Sequence, residues 1–213
     1  MKHILSLSLV LLTATLLPAF PAYADYRTIE FTPPKLGAPT ERSGRGTRST
    51  SKLQQAQTQT QNPAANRIQL LAPKQTGLTG LASPTLYWYA SNTSPYDIEV
   101  TVRQADNAPL FKKNIGAIKT AGFQAIRLSD YGVSLENGRN YTWSLALITN
   151  PEQRSADLFA SASIRRETPK KLPTDIEQMT EAGYWYDATV RLVETKSPKL
   201  ENFLQQEGIS TSK

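Results

Sequence analysis

The sequence predicts a mainly β fold: an antiparallel sandwich of about seven strands with a C-terminal extension of two or three helices. Three observations carry this. Apolar and polar residues alternate with period two through a series of short stretches after Arg67. Turn residues punctuate these stretches at regular spacing. Beyond Arg166 the apolar spacing changes to three and four, the helical period.

The core of the prediction is a hairpin. Tyr141, Trp143, Leu145 and Leu147 alternate with Thr142, Ser144 and Ala146, so one face of a strand is apolar. Asn150-Pro151-Glu152-Gln153 then turns the chain, because Asn initiates turns and Pro presets the next backbone angle. Ala156, Leu158, Ala160, Ala162 and Ile164 form the apolar set of the answering strand. Just upstream, Leu135, Gly138 and Tyr141 stand three residues apart. This spacing resembles the tyrosine corner of immunoglobulin-like and fibronectin type III sandwiches, where the Tyr hydroxyl bonds back to the upstream backbone. An ordinary turn before a strand gives the same spacing.

The other strands follow from the same period. They are 67–74, 84–89 with Leu86 and Trp88 on one face, a third built on Ile98, Val100 and Val102, then 110–115 and 122–128. Gly77-Leu78-Thr79 reads as a turn, as does Asp106-Asn107-Ala108-Pro109. Lys112 and Lys113 suit an edge strand, where charge deters unwanted pairing. The sandwich domain is therefore expected over 67–167. Helices are expected over 168–213. The first opens on a Thr174-Asp175-Ile176-Glu177 capping box with Thr174 as cap. Gly183 interrupts, a second helix runs to Glu194, and Ser197-Pro198 opens a third that Gly208 ends.

The first 24 residues read as a secretory signal peptide: Lys2, an apolar run from Ile4, and a small-residue cleavage site at Ala22-Tyr23-Ala24. The expected location is therefore exported, periplasmic or secreted. No later apolar run approaches the roughly 20 residues of a membrane span. Residues 25–66 read as a disordered or extended linker, rich in Pro, Gly, Ser, Thr and Gln, with too little apolar surface to offset the entropy of ordering. It holds an Arg-Gly motif with Arg42, Arg45 and Arg48 every third residue. The formal charge is +6, weak grounds for nucleic acid in an exported chain, so none is expected as a partner.

The chain has no cysteine, and its single histidine is His3, inside the predicted leader. A mature chain cleaved after Ala24 has neither residue. That closes disulfides, thiol catalysis, histidine triads and His- or Cys-ligated zinc. No cofactor or metal is expected.

Together, Gly37-Ala38-Pro39, Arg42-x-Gly44-x-Gly46-Thr47-Arg48, Pro84-Thr85-Leu86-Tyr87-Trp88, Tyr141-x-Trp143-Ser144-Leu145 and Asn150-Pro151 with Arg154-Ser155-Ala156-Asp157 resemble an uncharacterised bacterial family. Its members are exported, abundant in cyanobacteria and catalogued only as a domain of unknown function. The resemblance implies export and a β-rich domain with a helical tail, and no activity. It also implies a Cys pair in relatives where this chain has Ser49 to Ser51 and Thr149, so any docking of the Arg-Gly segment here is noncovalent.

The expected function is a noncatalytic interaction module of the cell envelope with an envelope protein as partner; oligomeric state carries no sequence signal. The alternative is a carbohydrate or cell-wall binding module using exposed aromatics, with Tyr87, Tyr89 and Tyr96 as candidates because they leave the Trp88 face. Trp88 and Trp143 are read as core. A carboxylate hydrolase drawing on Asp130, Glu136, Asp157 or Glu167 ranks third, with no spacing to support it. Arg154 and Asp157 are read as fixing the turn, with Asp157 pairing to Arg42 or Arg48 as an open hypothesis.

Overall fold

A computed structural model of the chain describes residues 28–36, 68–104 and 108–211. The predicted leader, the Arg-Gly motif with Arg42, Arg45 and Arg48, and the tip of the Asp106-Asn107 turn lie outside the described residues.

The described residues form eight strands: β1 Ile68–Leu70, β2 Gly77–Thr79, β3 Thr85–Ala90, β4 Ser94–Arg103, β5 Pro109–Ile118, β6 Gly122–Arg127, β7 Asn140–Ile148 and β8 Leu158–Arg166. Three short helices follow, α1 Ile176–Glu181, α2 Trp185–Glu194 and α3 Leu200–Gln205. No helix among the described residues is long and apolar enough to cross a membrane. The strands make two sheets, ordered β1-β3-β6 and β2-β8-β7-β4-β5. The β7–β8 hairpin pairs Tyr141 with Ile164 and Leu147 with Leu158. Its turn is the one the sequence predicts: Gln153 N donates to Asn150 O at 3.1 Å, and Glu152 N to the Asn150 side chain at 2.9 Å.

The eighth strand is Gly77–Thr79, expected as a turn. It pairs with β8 in parallel, so the larger sheet is not wholly antiparallel. A Cβ on Gly77 would stand 3.0 Å from both Pro73 and Tyr186. Glycine is there for close packing, which reads in sequence like a turn signal.

Both sheets contribute to one apolar core. Leu86 and Trp88 of the smaller sheet join Ile98, Val100, Val102, Tyr141, Trp143, Leu145 and Ile164 of the larger. Trp143 is fully buried and Trp88 nearly so. The Tyr141 hydroxyl accepts a hydrogen bond from Glu136 N at 2.9 Å, tying the β7 entry to the loop before it.

The helices press on the β1–β2 side. Tyr186 of α2 reaches inward: its hydroxyl accepts from Trp143 Nε1 at 2.9 Å and donates to Ser163 O at 3.0 Å. Trp185 Nε1 donates to Leu71 O at 2.9 Å. The first helix is capped by Asp175, not Thr174, with Gln178 N donating to the Asp175 side chain. The third starts two residues later than Pro198 would place it, while Phe203 and Leu204 form the expected buried stripe.

Residues 28–36, assigned by composition to the linker, pack instead against these helices. Ile29 and Phe31 are buried. Phe31 meets Trp185 edge-on at 4.8 Å, and Trp185 stacks on Phe203 at 4.2 Å. The Gln206 side chain accepts from Phe31 N and donates to Ile29 O. Thr32 N donates to Thr180 O at 3.1 Å. One amide thus grips the strap at two backbone positions on either side of Glu30.

Candidate interaction surface

The Arg154–Asp157 motif sits where the turn feeds β8. Arg154 Nε donates to Asp157 Oδ2 at 2.6 Å, and its terminal nitrogen to Glu99 Oε1 at 3.1 Å. Lys112 also reaches Glu99, at 3.4 Å. Burial alone would push Glu99 up, but the Arg154 hydrogen bond and the nearby Lys112 charge hold it below the ordinary carboxylate range. The Asp157 and Glu99 hydrogen bonds raise Arg154 further. The network strings β5, β4 and the start of β8 together through charge. Asp157 Oδ1 is buried and has no hydrogen-bond partner; its other oxygen is taken by Arg154.

Beside this network lies an apolar end. Leu158 and Phe159 are 44% and 41% exposed, and Tyr96 is 43% exposed. Leu158 pairs with Leu147, and Leu147 with Ile98; Tyr96 stands two residues before Ile98, at the same end of the sheet. Phe159, Ala146 and Glu99 form the next cross-strand row. Leu158 belongs to the inward set by alternation, yet it is open to solvent. The reason is the length of β2, which pairs only with 164–166 of β8. No strand among the described residues pairs with the outer edge of 158–162.

The two outer edges of this sheet differ. The β5 edge carries Lys112, Lys113 and Asn114, and its register shifts near Gly116, all devices that discourage strand addition. Residues 158–163, Leu-Phe-Ala-Ser-Ala-Ser, carry no charge and no proline.

The other sequence candidates are dispersed. Tyr87 and Tyr89 are buried, at 7% and 6% exposure. They leave the Trp88 face as expected, but α2 packs against β3. Burial raises the Tyr87 phenol, with the Glu194 carboxylate adding to it and Arg127 opposing. The aromatic row of Tyr87, Tyr89 and Tyr96 is therefore not an exposed surface. Glu136 pairs with Arg139 at 3.6 Å, Glu167 with Arg165 at 2.5 Å, and Asp130 accepts from Ser129 at 3.4 Å. These carboxylates sit with separate partners and do not converge. Sequence reading missed the strap, the α2 carboxylate Asp187 and the Leu158–Phe159 end. The alternation Ile29-x-Phe31 was the available signal for the first.

A two-sheet β protein with a helical flank and an open strand edge is the class the structure defines. The chain belongs to the family described as Domain of Unknown Function, DUF928, whose sequence model matches residues 43–209. The match includes 43–48, the second half of the Arg-Gly motif. No curated protein matches the chain. Among solved structures it is similar to an engineered protein from the Northeast Structural Genomics Consortium, at 15% identity and TM-score 0.36. That similarity covers 49% of this chain and 20% of the other, and is too partial to bear on fold or function.

Proposed function

We propose that the chain is a noncatalytic, exported interaction module of the cell envelope, an immunoglobulin- or fibronectin-III-like sandwich that takes a protein partner at the free edge of β8. The observation that carries this is the edge of 158–162, which no strand among the described residues pairs, with exposed Leu158 and Phe159 at its start. A partner strand adds there through main-chain hydrogen bonds, with the two side chains as anchors. Arg154 and Glu99 form a charged rim beside them. The strand order and the Tyr141–Glu136 hydrogen bond support the sandwich reading. The carbohydrate alternative, as a tyrosine platform, loses its support with the burial of Tyr87 and Tyr89.

The test is a pull-down from envelope extract with the chain from Asp25 onward and with a Leu158→Ser/Phe159→Ser double variant. A protein held by the first and released by the second is the expected result. Equal retention by both places the contact elsewhere. Retention by neither, with sedimentation onto purified polysaccharide, replaces the protein partner with a glycan.

A further inference from the structure

On the side of the sheets away from the helices, the β5 and β6 edges enclose a cavity of about 290 Å³. Trp88, Gly116, Gln124, Arg127, Asp130 and Tyr131 are among its lining residues. Trp88 is 3% exposed, and its Nε1 is buried with no hydrogen-bond partner. Buried donors are nearly always satisfied, so an orphaned indole N–H beside a cavity marks a place for an acceptor. Gln124 pairs directly with Trp88 across β3 and β6, so this polar side chain shares the face of Leu86 and Trp88. Its Nε2 donates to Thr120 O at 2.8 Å, which fixes the amide and leaves its oxygen to accept. Opposite, β5 shifts register at Gly116, where a Cβ would meet nothing within 4 Å. The mouth carries Asp130, whereas Arg127, one residue past Ile126, turns its side chain to the opposite face of β6, toward Tyr87. Tyr131 is 43% exposed, with its ring held 5.0 Å from that of Phe111.

We propose that this cleft binds a polyhydroxylated ligand, a single pyranose ring at the end of a glycan. An anion would meet Asp130, and a cation could not accept from the indole N–H. An apolar ligand would strand the indole N–H and the Gln124 oxygen. A sugar ring satisfies the indole N–H, the Gln124 oxygen and Asp130, because each hydroxyl both donates and accepts and its C–H face lies on an aromatic ring such as Tyr131. The volume, at the small end for ligand cavities, suits one ring rather than a chain.

The test is titration of the 15N-labelled chain with methyl pyranosides of glucose, galactose, mannose and N-acetylglucosamine, following the indole N–H resonances. Trp143 and Trp185 donate to Tyr186 and Leu71, so they serve as internal references. The Trp88 resonance is expected to move saturably with at least one glycoside while the other two stay. Asp130→Asn, at an exposed position, should weaken binding on the order of tenfold. No movement with any glycoside overturns the proposal. So does equal movement with glycerol at matched hydroxyl concentration, or joint movement of all three indoles. Leu158→Ser/Phe159→Ser, which affects only the β8 edge, is expected to leave the titration unchanged.

Discussion

Tyr186 joins the helices to the interior of the larger sheet through one hydroxyl, held between Trp143 Nε1 and Ser163 O. Tyr186→Phe leaves a buried donor and a carbonyl unmatched. Its cost should be about 1–3 kcal/mol, read as a lower urea midpoint; an unchanged midpoint contradicts the arrangement. The next residue, Asp187, is a lone buried carboxylate. Its oxygens accept from Gly80 N at 3.0 Å and Thr79 Oγ1 at 3.4 Å. Burial outweighs these bonds and pushes it up to about 6. The raised value means that the folded state favours the proton. Stability from this group is complete below the ordinary Asp value and is lost as pH rises through about 6. Glu99 and Glu177 are held low and act oppositely, but only as pH falls below the ordinary Glu range. Between pH 7 and 5 the domain should therefore gain stability, about 1 kcal/mol, and Asp187→Asn should flatten that dependence in denaturation midpoints. Nothing in the sequence distinguished Asp187 from a surface helix residue. Its burial depends on where α2 docks.

At the scale of elements, the strap at 28–36 and strand β2 hold the helices in place. Phe31→Ala removes the edge contact on Trp185 and should cost about 3–5 kcal/mol. A comparable change at exposed Lys35 should cost almost nothing. Equal midpoints for the two variants would show that the strap is not part of the fold. Gly77→Val drives a branched side chain into Pro73, Tyr186 and Trp185. It should lower the thermal midpoint by several degrees and disturb the Trp185 indole signal. The strongly alternating strands and the hairpin turn were legible because their own period and turn residues specify them. The short elements were not. β2 has three residues and depends on β8 and α2 for its shape. The strap has no regular structure, and its partners lie about 175 residues away along the chain.

At the scale of the whole molecule, the two-sheet domain presents two lateral sides of different character. One is closed by α2 and the strap; the other holds the cleft between β5 and β6. The open edge of 158–162 arises because β2, parallel to β8, begins only opposite Ile164. This explains why the candidate surface was less legible than the fold. Alternation put Leu158 in the core, and only the length of a neighbouring strand leaves it exposed. Arg154 and Asp157 were legible as turn-fixing residues, whereas their link to Glu99 required the β4–β7–β8 register. The most direct test of the partner-binding edge is site-specific photo-crosslinking in envelope extract, with the crosslinker at Phe159 and, as control, at Lys113 on the guarded edge. The account predicts one defined protein adduct from position 159 and none from 113. Adducts of the same protein from both positions, or from 113 alone, would contradict it.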